Sequence, residues 1–130
     1  MTTAPQLRVL VAEDEISVRN ALERFLTLKG CQVTSVPDGA AALTALDAAD
    51  VDLVISDLVM PVVGGVELWR KACEARPRLR ERWIFLSAYP KPELPDGSAA
   101  RHLQKPVELS ALWEAVRGVL GAAGMTLPDA

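Results

Sequence analysis

Asp57 lies at the C-terminal end of a predicted buried strand, a position where a carboxylate can be reactive. It follows the largely apolar segment 51–55, which predicts a buried strand, and it precedes a turn that ends at Pro61. A carboxylate at the tip of a buried strand costs free energy unless a cation or hydrogen-bond donors meet it. In proteins that alternate strands with helices, ligands bind at the C-terminal ends of the strands. Asp57 is therefore the first candidate for a reactive residue.

Three consecutive acids, Glu13, Asp14 and Glu15, follow the first predicted strand. Acids also favour a helix N-terminus, so Asp14 or Glu15 can instead be a simple helix cap. If the first and third strands are neighbours, Glu13 and Asp14 lie beside Asp57. Carboxylates that close repel one another unless a hard cation sits among them. Mg²⁺ fits this set better than zinc, because no histidine or cysteine is nearby.

Two further strand ends carry polar residues that suit a phosphate group. Ser87 ends the fourth predicted strand and can donate a hydroxyl hydrogen bond, and Lys105 follows the fifth and can neutralise a phosphate oxygen. Taken singly, Ser87 can form a turn and Lys105 can be an ordinary surface lysine. Their shared position at C-terminal strand ends favours a phosphate site.

The elements that must position these side chains alternate between strand and helix along the chain. Five short, mostly apolar segments predict strands, at residues 7–11, 32–36, 51–56, 83–87 and 101–104. Apolar side chains at helical spacing follow the first and the last strand; they are Val18, Ala21, Leu22, Phe25 and Leu28, and Leu109, Leu112, Trp113, Val116 and Leu120. Helices are also predicted after the second and third strands. This order indicates an α/β fold, with a parallel sheet covered by helices on both faces.

Length and charge narrow the class of protein. The 130 residues suit one domain over 6–120, with a disordered N-terminus at 1–5 and a flexible tail at 121–130. A net charge of −3 gives no support to direct nucleic-acid binding, and no apolar run approaches the roughly 20 residues of a membrane span. The N-terminus lacks the features of a signal peptide, so we expect a cytoplasmic location. Cys31 and Cys73 are then expected to be buried free thiols.

Over residues 6 to 120 the chain resembles the receiver domain of bacterial two-component response regulators. Each matching piece is weak alone, but the pieces occur in the family's order and at close to its spacing. They are Glu13-Asp14, Asp57 with Met60-Pro61, Gly65, Ser87-Ala88 and Lys105-Pro106. The resemblance implies a flavodoxin-like, doubly wound sheet of five parallel strands in the order 2-1-3-4-5.

The resemblance also implies a role for each acidic residue. Asp57 would take a phosphoryl group from the phosphohistidine of a histidine kinase or a phosphotransfer protein. Asp14 and Asp57 would ligate Mg²⁺ directly, the backbone carbonyl of Val59 would be a third ligand, and Glu13 would act through water. The domain would then be a conformational switch for a downstream protein, and not an enzyme beyond its own phosphorylation and dephosphorylation.

The remaining roles follow in the same way from the family. Ser87 would hydrogen-bond a phosphoryl oxygen and shift on activation, while Lys105 would pair first with Asp57 and then with the phosphoryl group. The Lys105-Pro106 peptide bond would be cis. These roles agree with the chemistry, because phosphoryl transfer needs in-line positioning and neutralisation of the equatorial charge.

The chain departs from the family around the fourth and fifth strands. His102 occupies a position that is usually Tyr or Phe, and a partly exposed strand residue is the plainer interpretation. The stretch between Ser87 and Lys105 is a few residues short and holds the proline-rich segment 89–97. The helix that the family has there, its fourth, is therefore predicted to be shortened or irregular, leaving a partner surface or a mobile loop.

Three further positions differ near the expected phosphate. Gly64 replaces the common Asp before the family's glycine, and Val59 and Tyr89 flank the reactive site. In the family these two flanking positions influence how water reaches the aspartyl phosphate. An apolar and an aromatic side chain there predict slow hydrolysis.

Two other classes of function compete with a phosphorylated receiver. A degenerate receiver would serve only as a docking module, and His102 with the shortened helix leaves this alternative open. An enzyme or cofactor binder of the same fold is disfavoured, because aspartyl-phosphate hydrolases need a second Asp where Val59 stands. A flavin phosphate would be repelled by the acids after the first strand. The receiver either stands alone or belongs to a larger protein such as a hybrid kinase.

Overall fold

A computed structural model of the protein describes residues 6–90, 92, 94 and 101–125. The elements within these residues follow the predicted alternation, with strand ends displaced by at most two residues. They are β1 Arg8–Ala12, α1 Ile16–Leu28, β2 Gln32–Val36, α2 Gly39–Ala48, β3 Leu53–Asp57, α3 Gly65–Ala75, a 3₁₀ helix Pro77–Glu81, β4 Trp83–Ser87, β5 Arg101–Gln104 and α4 Leu109–Ala122.

The five strands form one parallel sheet in the order β2-β1-β3-β4-β5, which confirms the doubly wound topology. The register pairs Ala12 with Ser56, Asp57 with Leu86, and Ser87 with Gln104. The carboxyl ends of β1, β3, β4 and β5 therefore meet at one edge of the sheet. The residues that follow these ends, or terminate them, are the ones to which the sequence assigns chemistry.

The sheet divides the core into two layers, because successive side chains of each strand point to opposite faces. Leu53 and Ile55 of β3 face α1 and α4, whereas Val54 faces α2 and α3. Every residue of β3 and β4 is buried, as expected for strands covered on both sides. The buried Ser56 hydroxyl is satisfied by the Trp83 indole, which donates to it at 3.1 Å.

Three of the side chains predicted to face the core are exposed instead. In α1, Ala21 and Leu28 lie at the edge of the apolar stripe, with Leu28 at 79% exposure, while Leu22 and Leu26 are its buried centre. The buried face of α1 is therefore rotated from the predicted one, away from Ala21 and Leu28 and towards Leu26. Leu109 is 40% exposed, since it opens α4 beyond the end of β5, where the sheet no longer covers it.

The ends of the chain and the β4–β5 connection are described only in part. Of the residues between these strands, 88–90, 92 and 94 are described and none of them is helical. The predicted helical turn at 98–100 and the rest of the predicted mobile loop lie outside the described residues, as do 1–5 and 126–130. Helix α4 continues to Ala122, past the predicted domain end at residue 120, and Met125 packs on the core.

No helix among the described residues has both the length and the apolar character needed to cross a membrane.

Candidate functional site

A cavity of about 330 Å³ opens at the carboxyl edge of the sheet, above β3, β4 and β5. It is lined by Asp14, Asp57, Val59, Leu86, Ser87, Ala88, Tyr89 and Lys105. The cavity thus brings together four of the five residues whose side chains the sequence singled out, and the fifth, Glu13, accepts a hydrogen bond from Lys105, which lines the cavity.

The backbone around Asp57 is fixed by the close approach of α3. Asp57 ends β3, Leu58 donates its N–H to Leu86 at 2.9 Å, and Gly65 donates its N–H back to Leu58 at 2.9 Å. A Cβ atom on Gly65 would overlap the Asp57 carbonyl oxygen and lie 2.8 Å from Leu58 Cα. Only glycine permits α3 to begin against this turn, so Gly65 holds the Asp57 carboxylate at the cavity.

The Asp57 side chain is almost completely buried and only partly compensated. Its Oδ1 atom lies 2.6 Å from Lys105 Nζ, at angles that do not make a hydrogen bond, and its Oδ2 atom has no hydrogen-bond partner among the described residues. Burial, together with the neighbouring Glu13 carboxylate, raises the pKa of Asp57 to about 8, although Lys105 works in the opposite direction. A buried, partly compensated carboxylate with a raised pKa is typical of a functional site.

Lys105 is shared between two buried carboxylates. Its Nζ atom lies 3.0 Å from Glu13 Oε1 and 2.9 Å from Oε2, in addition to its contact with Asp57. Burial acts to lower the pKa of Lys105, but its hydrogen bond to Glu13 and the negative charges of Asp57 and Glu13 outweigh this effect and raise the pKa. The resemblance implied a pairing of Lys105 with Asp57 alone, so the contact with Glu13 is a new feature of the structure.

Glu13, Asp14 and Asp57 form a set of oxygen donors that suits a hard cation. One carboxylate oxygen from each residue lies within 4.8 Å of the others, and Asp14 is exposed to solvent. One lysine balances only one of the three charges, and the unpartnered Asp57 Oδ2 gives a cation a buried ligand. These residues fit Mg²⁺, which prefers oxygen ligands and retains waters. The Val59 residue lines the same cavity, but the role of its carbonyl remains a prediction.

The simpler explanation of the acidic run as a helix cap is not realised at Glu15. That residue occupies the N-cap position of α1, and its side chain makes no capping hydrogen bond. Instead Glu13 accepts the N–H of Glu15 at 3.2 Å, while its own carbonyl oxygen accepts Nη1 of Arg19 at 3.0 Å. The acids are thus held at the end of β1 beside the cavity.

Ser87 has a partner that sequence reasoning missed. Its Oγ atom lies 2.8 Å from Nε2 of His102 and accepts the N–H of Tyr89 at 3.2 Å. His102 is partly exposed, as predicted, but Leu103 packs on the α1/α4 layer, so strand alternation turns His102 to the opposite face. Burial lowers the pKa of His102. Alternation in β5 was readable from the sequence, whereas the β4–β5 register that brings the two side chains together was not.

The chain between β5 and α4 completes the site. The Lys105 N–H donates to the Ser87 carbonyl at 2.8 Å, which continues the β4–β5 pairing by one residue. The Lys105–Pro106 peptide bond is cis, as the resemblance implied. Lys105 is therefore fixed at the carboxyl edge of the sheet, where it lines the cavity beside Asp57.

The fold and the site together define a class of protein: a flavodoxin-like domain with an acidic cluster, a lysine and a hydroxyl at the strand ends. Residues 9–117 match the family described as the response regulator receiver domain. The chain belongs to this family of two-component signalling domains.

Relatives in the family differ in length. The response regulator receiver protein CpdR of Brucella abortus is 34% identical over 118 residues, which are 89% of this chain and 98% of CpdR. The transcriptional regulatory protein TcrA of Mycobacterium tuberculosis is 34% identical over 120 residues, but the match spans 46% of it. The sensor kinase CckA of Brucella abortus is 33% identical over 118 residues, which are 12% of it.

Solved structures share the fold over nearly the whole described chain. The receiver domain of the hybrid histidine kinase CckA superposes with a TM-score of 0.75 at 31% identity, covering 87% of this chain and 98% of that domain. The response regulator TrrA of Thermotoga maritima, in complex with Mg²⁺ and BeF, gives 0.78 at 27% identity, covering 88% and 99%.

Proposed function

We propose that Asp57 accepts a phosphoryl group from the phosphohistidine of a histidine kinase or phosphotransfer protein. The environment of the Asp57 carboxylate is the observation that supports this proposal. The carboxylate is buried, neither of its oxygens has a hydrogen-bond partner among the described residues, and its Oδ1 atom lies 2.6 Å from the Nζ atom of Lys105, which also lines the cavity. An acidic pair able to hold Mg²⁺ stands beside it.

In the proposed reaction an Asp57 oxygen attacks the phosphorus atom. An O–P bond forms, the N–P bond of the phosphohistidine breaks, and the departing imidazole takes a proton from water. Lys105 already touches Asp57 Oδ1, so its ammonium group is placed to neutralise charge on the incoming phosphoryl group. Ser87 also lines the cavity and offers a hydroxyl to a phosphoryl oxygen.

The acidic residues would supply the remaining charge compensation through a bound cation. Asp14 and Asp57 would hold Mg²⁺, with Glu13 next to them. When bound, the ion would neutralise charge on the transferring phosphoryl group. Because Glu13 is fully buried and bonded to Lys105, it also fixes the lysine between the two carboxylates. No enzymatic activity is proposed beyond the domain's own phosphorylation and dephosphorylation.

The phosphodonor protein must dock close to the cavity, and an apolar groove lies there. The groove has a volume of about 480 Å³ between α1 and the β5–α4 connection, and it shares Lys105 with the cavity. Val18, Val107 and Leu109 line it, and Ile16, 63% exposed, lies at the start of α1. We place the kinase or phosphotransfer protein on this surface, since a donor seated there brings its histidine to the cavity mouth.

Intact-mass spectrometry tests the proposal directly. After incubation with acetyl phosphate and Mg²⁺, the protein should gain the mass of one phosphoryl group, and Asp57→Asn should gain none. Asp47→Asn is a matched control, because Asp47 is an exposed aspartate of α2 that is not among the residues lining the cavity, and it should behave as the wild type. No mass gain, or an equal gain in Asp57→Asn, would overturn the proposal and leave a phosphorylation-independent docking module.

A further inference from the structure

The Ser87 hydroxyl has one proton but two possible hydrogen-bond acceptors nearby. A serine hydroxyl donates one hydrogen bond and accepts two. In the structure one lone pair takes the Tyr89 N–H at 3.2 Å, and His102 Nε2 lies 2.8 Å away, the shortest contact of the Oγ atom. The Tyr89 carbonyl oxygen is a weaker acceptor at 3.3 Å. Which way the serine proton points therefore depends on the His102 ring.

The two states of His102 Nε2 have opposite consequences at the cavity. If Nε2 lacks a proton, Ser87 donates its only proton to the ring and has none for a phosphoryl oxygen. If Nε2 carries a proton, the ring donates to the second lone pair of Ser87. The hydroxyl proton is then free to point into the cavity that Ser87 lines.

We propose that His102 is a positioning residue that aims the Ser87 hydroxyl at the phosphoryl group. In the phosphorylated protein the Nε2–H group donates to Ser87 Oγ, so that the hydroxyl donates to a phosphoryl oxygen. His102 is not among the residues that line the cavity, and it acts only through Ser87. The inference rests on the proposed phosphorylation of Asp57 and adds a residue to it.

The contact with His102 also connects Ser87 to the edge strand of the sheet. His102 pairs in register with Phe85 on β4, and β5 is the last strand of the sheet. The ring therefore lies on a strand that has only one neighbouring strand to restrain it. Among the described residues, Ser87 is the one side chain that hydrogen-bonds to this ring.

Nuclear magnetic resonance can observe the proposed proton without ambiguity, because His102 is the only histidine of the chain. Long-range ¹H–¹⁵N correlation shows which ring nitrogen is protonated. The probe is Mg²⁺ with beryllium fluoride, a non-transferable analogue of the phosphoryl group, and ¹⁹F spectra report whether it binds. Absence of bound fluoride would contradict the proposed function, independently of the role of His102.

With beryllium fluoride bound, the Nε2 atom of His102 should give the signal of a protonated nitrogen. In Ser87→Ala, binding of the analogue should leave the signal of the Nε2 nitrogen unchanged. An unprotonated Nε2 in the loaded wild type would overturn the inference, and so would the same ring response in Ser87→Ala.

A second measurement separates positioning from a merely structural role. His102→Leu removes the donor, so phosphorylation by acetyl phosphate should slow by roughly five-fold, the effect of one hydrogen bond. His102→Gln keeps an N–H donor and should recover at least half of the wild-type rate. A His102→Leu protein at the wild-type rate, or Gln and Leu variants that are equally slow, would contradict the proposed role.

Discussion

At the scale of single residues, Asp57 is a buried carboxylate whose charge is only partly compensated. Its carboxylate is buried beside Glu13, and its pKa is raised to about 8. The folded state therefore binds more protons than the unfolded state between about pH 4 and pH 8. The contribution of Asp57 to stability is fully present below about pH 4 and is lost as the pH rises through 8.

Asp57→Asn should consequently stabilise the protein in the absence of Mg²⁺. The neutral amide avoids the cost of a buried charge, and Lys105 keeps Glu13 as its partner. We expect a gain of about 2 kcal/mol in the free energy of unfolding at pH 8, with a smaller gain at pH 5. Urea denaturation measures it. A variant less stable than the wild type at both pH values would contradict this account, and added Mg²⁺ should narrow the difference.

Val59 is the residue that should control how long the phosphoryl group persists. Its side chain is apolar, 68% exposed and part of the cavity lining. Val59→Asn offers a group that can orient a water molecule, so dephosphorylation should accelerate by roughly three-fold or more. The decay of radiolabelled protein measures this rate.

The matched control is Val62→Asn, since Val62 is also exposed but is not among the residues lining the cavity. It should decay as the wild type does. A wild-type phosphoprotein that decays faster than Val59→Asn would exclude the proposed shielding of the phosphoryl group by Val59.

At the scale of elements, the β3–α3 connection combines a strained residue with a required glycine. Val62 has φ of 69°, a left-handed conformation that β-branched residues rarely adopt. Gly65 lets α3 begin against the Asp57 turn. The connection is thus shaped by the approach of α3 to the reactive carboxylate and not by its own conformational preferences.

Relief of the backbone strain at Val62 should increase the free energy of unfolding. Asparagine tolerates the left-handed region better than valine, so Val62→Asn should raise the free energy of unfolding by about 1 kcal/mol. Val59→Asn makes the same chemical change at an exposed position without positive φ, and it should change stability by less than half as much. Equal effects of the two substitutions in urea would show that the gain has another origin.

Gly65→Ala should act in the opposite direction. Its Cβ would collide with the Asp57 carbonyl, so we expect a loss of about 2 kcal/mol or more and weaker phosphorylation. Gly121 of α4 is the control, because a Cβ there would meet nothing within 4 Å and a helical alanine is favourable. Gly121→Ala should be neutral or stabilising. Circular dichroism in urea compares the two, and a tolerated Gly65→Ala would refute the close-approach argument.

At the scale of the whole molecule, the two faces of one sheet contribute to the two layers of the core. Cys31 belongs to the layer under α1 and α4, and Cys73 belongs to the layer under α2 and α3. Both are free and buried, as the sequence predicted. Burial raises the pKa of both thiols, that of Cys73 to about 11 despite the opposing charge of Arg80, so neither reacts readily in the folded protein.

The two thiols should therefore become reactive together. Because β1, β3 and β4 contribute to both layers, unfolding of one layer exposes the other. In low concentrations of urea, Cys31 and Cys73 should be alkylated at rates that agree within about a factor of two, as read by mass spectrometry of the peptides. A layer that opens alone would alkylate its own cysteine first.

The sequence by itself determined the order of the elements and the identity of the acidic site. Apolar strands alternating with amphipathic helices specify a two-sided parallel sheet, and such a sheet brings strand ends to one edge whatever the loops do. Asp14, Asp57, Ser87 and Lys105 could be placed at that edge from chain order and strand direction, while the order of the strands and the role of each residue came from the resemblance to receiver domains.

Only the tertiary structure decided how these residues share protons and charge. The two-carboxylate contact of Lys105 and the Ser87–His102 pair depend on strand register and on side-chain reach across neighbouring elements. Periodicity specifies which face a residue occupies, but not which atom it touches. The Asp57 carboxylate could be located from sequence, whereas its unpartnered oxygen and raised pKa followed from packing.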